Sequence, residues 1–87
     1  MKSATQPSFW SAYARLDESV KRSARKTNRL WTDIPFHPSL NFDCINREER
    51  VWSVRITRSY RAIGIFEDDT VTWFWISRHD AYERFFS

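Results

Sequence analysis

Apolar positions in the last third of the chain form three short runs separated by polar segments. The stretch from Val51 to Tyr82 reads VWSVRITRSYRAIGIFEDDTVTWFWISRHDAY, and each run is rich in Val, Ile, Trp, Phe and Tyr. These β-branched and aromatic residues suit the pleated surface of a half-buried sheet. Turn-type segments at Thr57–Ser59 and Glu67–Asp69 divide the runs. The pattern therefore predicts three consecutive antiparallel strands.

The N-terminal half shows helical spacing instead. Ser8 is a suitable helix cap, and the apolar residues Phe9, Tyr13 and Leu16 follow it before Asp17 offers a second cap. This order predicts a helix, a turn and a second helix. Pro35 and Pro38 bias the backbone towards extended geometry and end the second helix, after which residues 41–45 can form a short strand.

The second predicted helix, from residue 17 to about residue 33, has two unlike faces. Its apolar side is one narrow stripe, made by Val20, Ala24, Thr27 and Trp31. The rest of its surface carries five cations, here called the basic helix residues: Lys21, Arg22, Arg25, Lys26 and Arg29. Such a face either contacts RNA or is merely solvated. We expect contact with RNA, because no acidic row matches the cations.

Composition limits the chain to one small domain. Its 87 residues can bury one modest core, to which five tryptophans and seven phenylalanines contribute large apolar areas. We expect a single domain over residues 1–87. The net charge of +3 and the pI of 9.4 favour an anionic partner only weakly.

Scarce residue types exclude several kinds of site. The single glycine, Gly64, is too few for a phosphate-binding loop, so we expect no nucleotide cofactor. The single cysteine, Cys44, allows no internal disulfide, suits a reducing compartment and is expected to be buried. Two histidines and one cysteine far apart offer no metal-ligand spacing. No apolar stretch approaches the roughly 20 residues of a membrane span, so we expect a cytoplasmic protein without membrane contact.

Cations and acid–base side chains come together in the strand-like runs. Arg55 and Arg61 on adjacent strands can hold a phosphate through charge-assisted hydrogen bonds, and His79 and Tyr82 can move protons beside it. A simpler interpretation is that the two arginines form surface ion pairs and that His79 and Tyr82 are structural. The arginines' potential partners are Glu67, Asp68 and Asp80.

The hairpin between the arginines decides whether one phosphate can meet both. With a two-residue turn at Arg58–Ser59, Ile56 would pair with Arg61, and Arg55 would then point to the opposite face of the sheet from Arg61. A bulge or a three-residue loop would restore a common face. Neither turn residue is the glycine or asparagine that a tight primed turn prefers, so we predict an irregular hairpin.

Two tryptophans in the last run have alternative roles. An exposed tryptophan can stack on a nucleic-acid base, whereas a central strand that is buried on both faces gives the same apolar run. We expect core packing for both Trp73 and Trp75.

The whole pattern resembles the RelE/ParE superfamily of toxins from toxin–antitoxin pairs. The most specific stretches are residues 52–56 (WSVRI), 60–64 (YRAIG), 71–76 (VTWFWI) and 79–82 (HDAY), and residues 36–40 (FHPSL) resemble one branch of the family. The resemblance implies an α+β fold in which an N-terminal strand, here residues 2–6, and a two-helix hairpin pack on a twisted antiparallel sheet of about four strands. A short C-terminal helix is expected to follow.

The resemblance also implies roles for individual residues. Arg61 matches the family arginine that contacts the scissile phosphate, and Arg55 matches a basic residue on the preceding strand. His79 and Tyr82 lie where RNase members keep a histidine or tyrosine that assists proton transfer to the leaving 5′-oxygen, and either of them can act.

The general base is less well defined. Some nuclease members place a glutamate and a lysine around residues 38–41, and neither is present here. His37, Glu48 and Glu49 are the candidate substitutes.

Three functions are compatible with this resemblance. The leading hypothesis is a metal-free, cofactor-free endoribonuclease that cuts mRNA on the ribosome and is inhibited by a cognate antitoxin. The alternatives are a ParE-like inhibitor of DNA gyrase and a catalytically inactive toxin-like binding module. Histidine and tyrosine at 79 and 82 argue mildly against the gyrase inhibitor.

Overall fold

A computed structural model describes residues 1–80, which form two helices against one five-stranded sheet. The strands are β1 (Lys2–Thr5), β2 (Asp43–Asn46), β3 (Val51–Arg55), β4 (Tyr60–Glu67) and β5 (Thr70–Arg78). The helices are α1 (Pro7–Ala14) and α2 (Glu18–Asp33), and a short 3₁₀ turn spans Pro38–Leu40. The strand order across the sheet is β1-β5-β4-β3-β2.

The sheet is mixed, which corrects the expectation of an antiparallel sheet of about four strands. Strands β2 to β5 form the expected antiparallel series, with each strand beside its neighbour in sequence. Strand β1 adds a fifth strand parallel to β5, with Lys2 opposite Thr70 and Thr5 opposite Trp73. The expected N-terminal strand is thus confirmed. The expected C-terminal helix lies outside the described residues.

Helix α1 does not begin where its sequence suggested. Its N-cap is Gln6, and Pro7 occupies the first helical position, where proline's fixed φ and missing N–H are well tolerated. The predicted cap, Ser8, is inside the helix, and its hydroxyl instead donates a hydrogen bond to the carbonyl oxygen of Phe74 at 2.6 Å. Helix α2 begins after Asp17 as predicted.

The apolar stripe of α2 directs Trp31 into the centre of the core. Trp31 is 1 % exposed and packs edge-on against Trp73 of β5, with ring centroids 5.3 Å apart. It makes a similar contact with Phe42 at 5.6 Å. Val54 and Ala62 line the same side of the sheet. We call this side, which packs against α1 and α2, the helix face.

The opposite side of the sheet has a different character. It carries the cross-strand pairs Ser53–Ile63 and Arg55–Arg61, and it continues to Trp75, which pairs with Ile63. Ser53 and Ile63 are buried, whereas the two arginines are only half-buried. We call this side the arginine face.

A β-bulge separates Trp73 from Trp75. Trp75 lies opposite Ile63 and Trp73 opposite Gly64, so two steps along β5 match one step along β4, and Phe74 is the extra residue. Trp73 therefore faces the helices and Trp75 the arginine face. The expectation that both are core residues is wrong for Trp75, which is 41 % exposed.

Gly64 lies where the bulge begins and leaves room for the side chains of β5. A Cβ atom at this position would come within 2.6 Å of Val71 Cγ1 and 3.0 Å of Trp73 Cε3. Only glycine therefore fits beside these two side chains without a shift of the strand.

The expectation for Cys44 is also wrong, because this residue is exposed. It lies on β2, an edge strand of the sheet. Neither α1 nor α2 is long and apolar enough to cross a lipid bilayer.

Candidate functional site

The β3–β4 hairpin has the irregular geometry that its turn residues predicted. The backbone N–H of Ile56 donates to the carbonyl oxygen of Tyr60 at 3.0 Å, which leaves the three residues Thr57–Ser59 as the loop. The hydroxyl oxygen of Thr57 accepts hydrogen bonds from the N–H groups of Ser59 and Tyr60, both at 3.2 Å. A threonine side chain thus closes a loop that has no glycine.

This loop places the two arginines directly opposite each other. Arg55 pairs with Arg61 in the register of β3 and β4. Since Ile56 and Tyr60 form a hydrogen-bonded pair, Arg55 and Arg61 form the following non-hydrogen-bonded pair, in which Cα atoms are about 4.5 Å apart. Both side chains leave the sheet on the arginine face. The three-residue loop therefore meets the geometric condition for a shared phosphate.

The guanidinium of Arg61 is held by the hairpin loop. Its Nη1 donates to the carbonyl oxygens of Thr57 at 2.7 Å and Tyr60 at 3.1 Å, and it lies 3.4 Å from that of Arg58. Because the guanidinium is planar, anchoring one nitrogen restricts the orientation of its other donors. The loop backbone is thus a support for Arg61.

Two of the three carboxylates proposed as surface partners of Arg55 and Arg61 form ion pairs with other arginines. Glu67 forms an ion pair with Arg50 at 3.7 Å, and Asp80 forms one with Arg78 at 3.6 Å. Both pairs are exposed, so each contributes little to stability. Within residues 1–80, Arg55 forms no such pair.

The structure brings His79 to the same hairpin. The backbone N–H of His79 donates to the carbonyl oxygen of Ser59 in the loop at 2.7 Å. Arg61 pairs with Ser77, two residues before His79. His79 is half-buried, and it begins the segment that follows β5. Tyr82, the alternative proton donor, lies outside the described residues.

The basic helix residues divide between the two sides of α2. Lys26 lines a shallow groove of 250 Å³ together with Arg55 and Ser39. Arg25 lies towards α1, where it donates a hydrogen bond to the Tyr13 hydroxyl at 2.8 Å and forms an ion pair with Glu18 at 3.6 Å. The bond to Tyr13 is the main reason that the pKa of Arg25 lies above its ordinary value.

The other three basic helix residues are placed as follows. Lys21 lies over the ring of Tyr13, with Nζ 5.7 Å from the ring centroid. Arg22 and Arg29 are exposed to solvent. Lys26 is thus the member of the set that shares a groove with Arg55, while Lys21 and Arg25 help to join α2 to α1.

Two of the three candidate general bases lie at the far end of β3 from the arginines. Glu48 and Glu49 precede β3, whereas Arg55 ends it, and the intervening strand is about 13 Å long. His37 is nearer, since it bonds to Ser39 of the groove. Its Nδ1 accepts a hydrogen bond from the Ser39 backbone N–H at 3.2 Å. That ring nitrogen is therefore engaged with Ser39.

Trp75 is the site residue that sequence reasoning placed wrongly. It shares the arginine face with Arg61, separated by two positions along β5 from Ser77, the partner of Arg61. A signal was present in Gly64, because an isolated glycine inside a strand pattern often marks a bulge. A bulge reverses which face every later residue of the strand occupies.

A second, larger cleft lies on the other side of the sheet. It has a volume of 470 Å³, lies between α1, α2 and the helix face, and is lined by apolar residues such as Phe9, Trp10 and Trp73. Arg55 and Arg61 do not line it, whereas Arg25 and Arg29 of the basic helix residues do. Within residues 1–80, no three His, Cys, Asp or Glu side chains come together as a possible metal site.

Comparison with known proteins gives a family and a set of similar folds. The profile of a family described as "ParE-like toxin domain" matches residues 18–84. No curated protein sequence matches significantly.

Solved structures of similar fold come from several toxins. A YoeB/ParE toxin from Agrobacterium tumefaciens is 20 % identical, with a TM-score of 0.70 over 91 % of this chain and 99 % of that one. A RelB–RelE antitoxin–toxin complex from Methanococcus jannaschii is 9 % identical, with a TM-score of 0.74 over 97 % of this chain and 99 % of that one. YafQ from Escherichia coli is 8 % identical, with a TM-score of 0.73 over 93 % of this chain and 96 % of that one.

The Thr57 hydroxyl can be tested separately from any activity. Thr57→Val keeps the side-chain shape but removes the acceptor for two backbone N–H groups, so we expect the free energy of unfolding to fall by about 1–2 kcal/mol. Thr57→Ser keeps the hydroxyl and should lose less than half of that. Urea denaturation followed by tryptophan fluorescence measures both. Equal stability of Thr57→Val and wild type would show that the hydroxyl does not hold the loop.

Proposed function

The chain belongs to the family of ParE-like toxin domains, and from this membership and its paired arginines we propose that it is an endoribonuclease toxin. The observation that carries the proposal is the register that sets Arg55 directly opposite Arg61. Two cations held side by side on a sheet suit an anion with several oxygens, such as an RNA phosphate.

The arginine pair places two like charges on neighbouring strands. Like charges directly opposite each other across two strands are destabilising. A phosphate between the two strands would offer each guanidinium a charge-assisted interaction.

The proposed reaction is an internal phosphoryl transfer. The ribose 2′-hydroxyl attacks the adjacent phosphorus and loses its proton, while the bond from phosphorus to the 5′-oxygen of the next nucleotide breaks. Negative charge builds on the phosphate oxygens in the pentacoordinate transition state, where Arg55 and Arg61 stabilise it more than in the ground state. The products are a 2′,3′-cyclic phosphate and a 5′-hydroxyl.

His79 is our proposed donor of the proton that the leaving 5′-oxygen requires. Its backbone bond to Ser59 keeps it beside the loop that holds Arg61. Histidine is suited to this step because its ordinary pKa lies close to neutral pH. Tyr82 is the alternative donor. We assign no general base, and His37, Glu48 and Glu49 stay candidates.

We propose mRNA on the ribosome as the substrate and a cognate antitoxin as the inhibitor. The basic helix residues add sequence-independent attraction for RNA, and Lys26 extends that attraction into the groove beside Arg55. A protein segment lying in the groove would cover Arg55. The RelE structure from M. jannaschii is itself a complex with its antitoxin RelB.

Inhibition of DNA gyrase is the second candidate. The observation in its favour is the family description, which names ParE, since ParE-type members act on gyrase. This function requires no phosphate site. Assays of the purified protein with translating ribosomes and with gyrase, run in parallel, distinguish the two candidates.

Alanine substitution of the paired arginines is the first test of the nuclease. We expect Arg61→Ala to lower the cleavage rate at least about 10²-fold and Arg55→Ala to weaken it strongly, because each removes a fixed cation from the transition state. Arg58→Ala is the control, since Arg58 is an exposed arginine in the same hairpin. Mapping mRNA 5′ ends on translating ribosomes measures the rate. Full activity in a folded Arg61→Ala variant would contradict the assignment.

Neutralising part of the basic helix tests its contact with RNA. The triple variant Arg22→Gln, Lys26→Gln, Arg29→Gln should reduce the slope of log affinity against log salt by about 2, as expected when three single-strand phosphate contacts are lost. A control triple variant changes Lys2, Arg15 and Arg47, exposed cations outside α2. Filter binding to ribosome-bound mRNA over a range of KCl concentrations gives the slope. Equal slopes in both variants would mean that the basic face is only solvated.

Loss of the proton donor should slow the reaction without weakening binding. We expect His79→Ala to reduce turnover by roughly 10²- to 10⁴-fold while KM stays nearly constant, because the group acts only on the leaving oxygen. The Tyr82→Phe variant and the double variant show which donor is used. A double variant that cleaves at the wild-type rate would exclude both. Chelator in excess should leave wild-type cleavage unchanged when the ribosomes remain intact.

A further inference from the structure

Trp75 is a large apolar side chain that the fold exposes on the arginine face. It is 41 % exposed, while its cross-strand partner Ile63 is only 1 % exposed. The indole therefore projects from a position whose cross-strand neighbour is fully buried. Leaving so much aromatic surface in water forgoes the stabilisation that its burial would give.

The bulge that turns Trp75 outward is held in place by other parts of the fold. The Ser8 hydroxyl donates to the Phe74 carbonyl at 2.6 Å, and the Gln6 N–H donates to the Trp73 carbonyl at 2.9 Å. The start of α1 is thus bonded to the two residues that precede Trp75. This arrangement fixes the direction of the indole.

Trp75 and the arginine pair lie within one nucleotide's reach of each other. Arg55, Arg61 and Ser77 form one row across the sheet, and Ser53, Ile63 and Trp75 form the next row on the same face. Same-face residues of one strand are about 6.8 Å apart. Diagonal neighbours such as Arg61 and Trp75 are separated by roughly 7–8 Å.

We propose that Trp75 stacks on a base of single-stranded RNA whose phosphate lies on Arg55 and Arg61. This inference rests on the proposed function and adds a base contact to it. Aromatic side chains bind unpaired bases through their π faces with little dependence on base identity. The contact would orient the RNA across the β-sheet without selecting a particular base sequence.

The surroundings of Trp75 favour RNA over a protein segment. An apolar segment of a protein partner would have to cover Trp75 while lying against two adjacent arginines. A nucleotide satisfies both needs, because its base is an aromatic plane and its phosphate is an anion. The other strongly exposed tryptophan, Trp10, is 52 % exposed on α1 and borders the apolar cleft, so it serves as the matched control.

A double-mutant cycle between protein and RNA tests the stacking contact. The probe is an RNA octanucleotide of mixed sequence with 2′-O-methyl riboses, which block cleavage, together with eight versions that each lack one base. We expect Trp75→Leu to weaken binding about 5- to 150-fold, and Trp75→Phe to recover most of the affinity. Trp10→Leu should leave it unchanged. Fluorescence anisotropy measures Kd, and thermal unfolding checks that each variant is folded.

The position of the missing base provides the decisive comparison. At one position of the RNA, removing the base should lower the affinity of wild type. The same removal should lower the affinity of Trp75→Leu very little, because the missing base and the missing indole are the two sides of one contact. If the losses in binding free energy from Trp75→Leu and from the missing base simply add at every position, the proposal is overturned. It would likewise fail if wild type showed no saturable binding to the octanucleotide, or if Trp75→Leu weakened only antitoxin binding.

The outcome separates this inference from the nuclease proposal. Cleavage on ribosomes by wild type and by Trp75→Leu at equal rates, with equal octanucleotide affinities, would refute stacking and leave the nuclease intact. A wild type that never cleaves but binds the octanucleotide through Trp75 would refute the nuclease and retain the stacking contact.

Discussion

The close contact between Trp73 and Gly64 is the constraint on which the sheet depends. The space above Gly64 is filled by Trp73 and Val71, so a Cβ atom there would lie 2.6 Å from Val71 Cγ1. Trp73 in turn packs against Trp31, the side chain that anchors α2. This stack fixes the position of β5 against β4 and of α2 against both. After the bulge at Phe74, each residue of β5 lies on the side of the sheet opposite to the one that simple alternation predicts.

The two faces of the sheet consequently serve different purposes. The helix face contains the aromatic core, in which Trp31 meets Phe42 and Trp73 edge-on, an arrangement that adds stabilisation beyond the area buried. The arginine face instead carries two adjacent cations and an exposed indole. Paired like charges oppose folding, and an exposed indole leaves apolar surface in water. Local departures of this kind are expected where a protein keeps residues for binding or chemistry.

Much of this arrangement could be predicted from the residues themselves. Helix α2 followed from the stripe that ends in Trp31, and the irregular hairpin followed from the absence of glycine or asparagine at Arg58 and Ser59. Strand β1 followed only from the family resemblance, because all of its residues are exposed and it has no alternating pattern. Its parallel pairing with β5 depends on partners about 70 positions away, which no local pattern encodes. The bulge likewise arises from packing around Gly64, so period-two alternation misplaced Trp75.

The pairing of β1 with β5 also affects when the protein can finish folding during its synthesis. The first described strand has its only described neighbour in the last one, and the side-chain bonds Trp73 to Ser3 and Ser8 to Phe74 join the same two regions. Contacts between such distant segments form late, because the chain between them must first be ordered. A nascent chain still lacking β5 has neither the β4–β5 pairing nor the bulge that orients Trp75. Its arginine face would therefore be completed only after β5 has been synthesised and has paired with β4.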